Sequence, residues 1–226
     1  MKKAAIILTL FLISGLAFQT FVYSESSSKK EEVLFYCQQY PEGLLDYAED
    51  NFERMVSSTV GGKNIQISSQ DVSMGTPFSV YVPGESPSVF FFPVISNDKI
   101  VSLYTVGIDL NASRESSSNH FLCSISSNGI DVIEQVCNQA MPGERVLVYR
   151  EEHNHTMVRV GGQTILLWRC PGVLEEPSYS LIEIPERSAS AVSIFDTIYT
   201  IRLPENIEYA TIVSPTDIVK TSTSDE

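Results

Sequence analysis

The apolar positions of this chain change period along its length, and the changes mark its elements. Between Pro41 and Ser58, Leu44, Leu45, Tyr47, Ala48, Phe52, Met55 and Val56 recur at spacings of three and four. Glu42, Asp46, Glu49, Asp50 and Glu53 fill much of the other face. This is the pattern of an amphipathic helix lying on a core. Pro41 suits the first turn, where a missing N–H costs nothing, and Gly61-Gly62 ends the segment.

From Asn64 onward the period shortens to runs of β-branched and aromatic residues broken by turn formers, as antiparallel strands require. Strands are expected at Asn64–Ser68, Pro77–Val82, Ser88–Ile95 and Lys99–Ile108. Ser96, Asn97 and Asp98 join the last two as a hairpin. The arm Val89–Ile95, with Phe90, Phe91 and Phe92 in succession, is apolar on both faces. Such a strand is either covered on both sides or keeps one face for a partner.

Leu110–Ser118 is polar and turn-rich, and Phe121–Ile125 resumes a strand. Ser126, Ser127 and Asn128 then stand as cap residues before Ile130, Ile133, Val136, Cys137 and Ala140, which have helical spacing. Arg145–Glu151, Thr156–Val160 and Gln163–Arg169 read as three strands, the last two joined through Gly161-Gly162 by a two-residue turn. Further strands are expected at Ser178–Ile184 and Ala191–Leu203. The order predicts an α+β fold: one curved antiparallel sheet of roughly eight to ten strands, an N-terminal helix and a short internal helix.

The ends differ from this body. Lys2 and Lys3 precede an apolar run from Ala4 to Phe18, and Val22 and Ser24 suit a processing site, so residues 1–24 read as an export signal. About fifteen apolar residues fall short of the roughly 20 that a spanning helix needs. The expectation is a secreted protein with no stable membrane anchor after cleavage. Residues 25–32 form a polar linker, 33–203 a single domain, and 204–226 a polar tail expected to be poorly ordered.

The net charge is −13, and loss of the two lysines takes it to about −15. Such a field repels phosphate backbones and excludes nucleic acid as a natural partner, while a basic protein or a divalent cation is attracted. In an oxidising compartment Cys37, Cys123, Cys137 and Cys170 permit two disulfides in any of three pairings.

Candidate chemistry is sparse. If Glu151–His155 were extended, Glu151, His153 and His155 would share a face and offer three ligands to zinc; a polar hairpin tip explains the same residues. His120 and Cys123 have the residue types of a thiol nucleophile and its base, though a cysteine in an apolar strand of an exported protein serves equally as half of a disulfide. No Gly-x-Ser-x-Gly elbow and no phosphate-cradling glycine loop occurs. Asn111-Ala112-Ser113 and Asn154-His155-Thr156 fit the glycosylation acceptor pattern.

The stretch Gly75-Thr76-Pro77-Phe78-Ser79-Val80-Tyr81-Val82, followed by Phe90-Phe91-Phe92-Pro93-Val94-Ile95-Ser96-Asn97-Asp98-Lys99-Ile100-Val101, resembles the non-catalytic propeptide regions of secreted Gram-positive bacterial proteases. The likeness runs to about Trp168 and includes Val146-Leu147-Val148-Tyr149 before a Gly-bearing hairpin. It implies a stand-alone, prodomain-like domain that binds a secreted protease as inhibitor or folding helper. Four cysteines depart from that company. The leading expectation is therefore a secreted non-enzymatic protein-binding domain without a cofactor. The alternatives are a metal-assisted hydrolase using Glu151, His153 and His155, and an envelope or matrix component that makes contact through Phe90, Phe91 and Phe92.

Overall fold

A computed structural model describes residues 32–60, 69–109, 120–179, 182 and 189–203. The segment expected to be an export signal, the expected linker up to residue 31, the strand expected at Asn64–Ser68, the stretch from Leu110 to Asn119 and the tail from Pro204 lie outside them. So does most of the strand expected at Ser178–Ile184.

In chain order the elements are β1 (Leu34–Gln38), α1 (Leu44–Val60), β2 (Asp71–Gly75), β3 (Phe78–Ser79), β4 (Val89–Ser96), β5 (Lys99–Ile108) and β6 (Phe121–Ser126). There follow α2 (Ile130–Gln139), β7 (Arg145–Arg150), β8 (Thr156–Val160), β9 (Gln163–Trp168), β10 (Ala189–Ser193) and β11 (Thr197–Arg202). The α+β class and both helices agree with the sequence. The sheet differs: the described strands form two sheets, a five-stranded one ordered β10-β1-β7-β8-β9 and a six-stranded one ordered β11-β2-β4-β5-β6 with β3 beside β4. Neither is closed. The split follows from the last expected strand, Ala191–Leu203, which breaks at Ile194–Asp196, so that β10 pairs with β1 and β11 with β2. One pairing is parallel, β1 with β7 through Leu34 and Phe35 opposite Arg145 and Val146.

Helix α1 exists because one stripe is apolar. Leu44, Ala48, Phe52 and Val56 are fully buried against Phe90, Phe92, Val94, Tyr104 and Val106 of the six-stranded sheet. An isolated helix of 17 residues is marginal in water. Burying Leu44, Phe52 and Val56, at roughly 2 kcal/mol each, holds it to the sheet. Phe52 meets Tyr104 edge-on at 5.6 Å, and the Tyr104 hydroxyl donates to the Ala48 carbonyl at 3.3 Å.

Strand alternation explains the three consecutive phenylalanines. Phe90 and Phe92 face α1, whereas Phe91 points the other way, stacking on Phe78 at 5.5 Å and meeting Trp168 at 4.9 Å. That second face packs with Val146, Val148, Val158 and Val160 of the five-stranded sheet and with Ile133 and Val136 of α2. The outer face of the five-stranded sheet carries Tyr36, Leu147, Tyr149 and Met157, all buried. No helix among the described residues is long and apolar enough to cross a membrane.

Both expected tight turns form. Asn97 and Asp98 take φ of 50° and 57°, and Gly161 and Gly162 take 54° and 75°. The start of α2 corrects the sequence: its cap is Gly129, at φ 79° and with no side-chain cap bond, instead of a serine or asparagine. A Cβ at Gly129 would come within 2.6 Å of the Trp168 indole nitrogen, so only glycine fits.

Candidate functional site

The polar segment after β7 is a turn. Glu151 N–H donates to the His155 carbonyl at 3.0 Å, Asn154 N–H donates to the Glu151 carbonyl at 2.9 Å, and Asn154 takes φ 65°. The Glu151 carboxylate lies inside this turn, 7% exposed. It accepts the N–H of His153 and of His155, each at 2.9 Å, and of Ser178 at 3.4 Å. Burial pushes its pKa up, but the three backbone donors and the neighbouring His153 outweigh burial and leave it below the ordinary value. The carboxylate is ionised and acts as the brace of the turn.

His155 is fully buried at the end of the turn. Its Nδ1 lies 2.8 Å from the backbone N–H of Cys170 and its Nε2 3.0 Å from the carbonyl of Glu175. A backbone amide only donates, so Nδ1 accepts; a carbonyl only accepts, so Nε2 carries the proton. The ring is therefore neutral, with both nitrogens occupied, and it ties together two points of the loop that leaves β9.

That loop has further ties. Val173 N–H donates to the Cys170 carbonyl at 3.3 Å, and Arg169 Nη2 donates to Glu176 Oε2 at 2.9 Å. The arginine holds the exposed Glu176 carboxyl below its ordinary pKa. Ser178 N–H on Glu151 closes the far end. At the tip Leu174 is 94% exposed.

Beside the turn lies a cleft of about 370 Å³ bordered by Val82, Pro83, Arg150, Glu152, Asn154 and Ile182, with Glu151 and Ser178 completing its lining. Its wall is set by Tyr81, whose N–H donates to the Val148 carbonyl at 2.8 Å and whose carbonyl accepts from Arg150 N–H at 2.9 Å. This single parallel bridge to β7 places Val82 and Pro83 next to the turn.

The expected site residues fare differently. Phe90 and Phe92 are fully buried and Phe91 is 9% exposed. The three rings are core, and their proposed role as a contact surface is corrected by the two layers that cover β4. Glu151, His153 and His155 do not share an open face, because the segment turns and His155 is held by Cys170 and Glu175. The side chains whose ligand atoms converge are Glu151, Glu152 and His153, within 4.8 Å of one another, with His153 Nδ1 3.4 Å from Glu151 Oε2.

No disulfide joins the four cysteines. Cys37 and Cys137 belong to different apolar clusters, Cys123 accepts from the Tyr47 hydroxyl at 3.7 Å, and Cys170 begins the loop. His120 is exposed, whereas Cys123 packs toward α1. Asn154 is exposed on the turn; Asn111 lies outside the described residues.

Sequence reasoning missed the loop and the cleft. The signal for the loop was present in Pro171-Gly172, a turn pair followed by two apolar residues, Val173 and Leu174, and two acids. The cleft had none, since it is made by the distant pairing of Tyr81 with Tyr149. Comparison with protein-family models and with curated proteins gave no match.

Proposed function

We propose that this chain is a secreted, non-enzymatic, prodomain-like binding domain whose partner is another secreted protein, a protease that it inhibits or assists. The observation that carries the reading is the cleft between Val82-Pro83 and the turn after β7. It offers apolar walls beside charges of both signs, as a site for a polypeptide segment does. The residue types that suggested chemistry, Glu151 and His155, hold backbone in place beside it. The net charge of −13 favours a basic partner and speeds the encounter. The test is co-purification and activity assay of the domain with secreted proteases of its host. Complex formation or altered activity supports the reading, and neither effect across the set defeats it.

A second reading, metal-assisted hydrolysis, draws on the convergence of Glu151, Glu152 and His153. Elemental analysis of protein purified without chelator tests it, and absence of stoichiometric zinc ends it. The envelope reading loses its contact strand with the burial of Phe90, Phe91 and Phe92.

A further inference from the structure

We propose that the loop from Cys170 to Ser178 is the docking element, that Leu174 is its anchor, and that its partner is an endoprotease with an apolar primary pocket and a basic rim. This deepens the protease-binding reading above and rests on it.

Single apolar residues on a surface are ordinary and carry no message by themselves. Leu174 differs in how its loop is held. On its N-terminal side Cys170 N–H is fixed to His155 Nδ1, and Val173 N–H to the Cys170 carbonyl. On its C-terminal side the Glu175 carbonyl is fixed to His155 Nε2, Glu176 to Arg169, and Ser178 N–H to Glu151. One buried imidazole thus grips the chain on both sides of a leucine that remains in water. Leu122, 63% exposed, lies in the paired strand β6 opposite Gly107, and Met141, 69% exposed, is held at its N–H and carbonyl by the partly exposed Glu144. Leu174 is the most exposed of the three and the one whose loop is clasped by a buried side chain. A loop already held in one shape loses less conformational freedom on docking, which is the general route to tight binding through few contacts.

The chemistry of the tip selects the partner. Leu174 needs an apolar pocket, and the adjoining Glu175 carboxylate favours a basic rim, Glu176 being already paired with Arg169. An exposed leucine within a short accessible segment is also what an endoprotease takes as substrate. Attack at the Leu174 carbonyl would break the C–N bond to Glu175, with water supplying hydroxyl to the new carboxyl group and a proton to the new amine. Because Cys170 and Glu175 both stay on His155, the new ends remain together. The bond re-forms with return of the water, and the protease stays occupied.

The experiment uses the full chain with chymotrypsin, whose primary pocket is a hydrophobic slot, and with subtilisin as probes. Residual protease activity and mass-spectrometric mapping of cuts are read for wild type, Leu174→Asp, His155→Gln and the control Leu122→Ala. Wild type and Leu122→Ala are expected to inhibit alike. Leu174→Asp should weaken inhibition by about 30-fold or more, as loss of a central anchor does. His155→Gln should be cut after Leu174 at least about tenfold faster than wild type, since one of the two grips is lost. Equal inhibition by Leu174→Asp and wild type overturns the loop assignment and leaves the binding reading standing. A wild type that inhibits neither probe and is cut after Leu174 as fast as His155→Gln overturns both for this protease class.

Discussion

Removing the Glu151 carboxylate should loosen the turn, the loop and the cleft wall together. In Glu151→Ala the N–H groups of His153 and His155, each 2.9 Å from a carboxylate oxygen, lose their acceptor, and that of Ser178 at 3.4 Å loses a weaker one. A buried donor left unsatisfied costs about 1–3 kcal/mol, and His155 N–H is buried while His153 N–H is partly so. The expected loss is about 3 kcal/mol, or a fall in Tm of about 6–12 °C for a domain of this size. Glu151→Gln keeps one acceptor oxygen and should lose about half as much.

The same carboxylate makes stability pH-dependent. Its pKa in the folded protein lies below the ordinary 4.5. The folded state therefore binds this proton less readily than the unfolded chain does, and the contribution is fully present above pH 4.5 and lost as pH falls through the lower folded value. Urea unfolding of wild type and both variants, at neutral pH and at acid pH, measures all of this. If Glu151→Ala falls by less than about 1 kcal/mol, or matches Glu151→Gln, the carboxylate does not brace the turn.

Phe92→Ala, which empties a fully buried site between α1 and the six-stranded sheet, should cost about 3–5 kcal/mol in chemical denaturation; a near-neutral result would mean that β4 is not interior. Gly129→Ala should destabilise through both its φ of 79° and the approach to Trp168, and a shift in tryptophan fluorescence should accompany the loss. Burial pushes the Cys37 thiol up to about 12 against an opposing hydrogen bond with Ser79, so Cys37 should resist a thiol reagent in the native state. Partly exposed Cys170 should react first, with assignment by Cys170→Ser, and all four should react on unfolding. Fewer than four after denaturation without reductant would show that disulfides had formed.

Local pattern carried much of the fold. The apolar stripe of α1, the Asn97-Asp98 and Gly161-Gly162 turns and the period of α2 depend on neighbours within a few residues, and each was legible. What escaped depends on distant pairing. β1 is only five residues, Leu34–Gln38, and its place between β7 and β10 follows from partners more than 100 residues away. Nothing local distinguishes one long final strand from two short ones that serve different sheets. The same limit governs the site. Polar residues at 151–155 announced a turn, but the use of His155 as a tie depended on a loop that returns after β8 and β9, and the wall at Val82-Pro83 on a bridge across 68 positions from Tyr81 to Tyr149.

The turn between β10 and β11 puts one strand in each sheet. Residue 193 lies opposite residue 34, and residue 202 opposite residue 71, so the seam is sewn by the latest described part of the polypeptide. Until that part has arrived, β1 and β2 each present a bare edge, and contacts of such long separation form slowly. A chain folding from its N-terminal end therefore waits as two incomplete sheets, and residues 189–203 are the part that covers both edges.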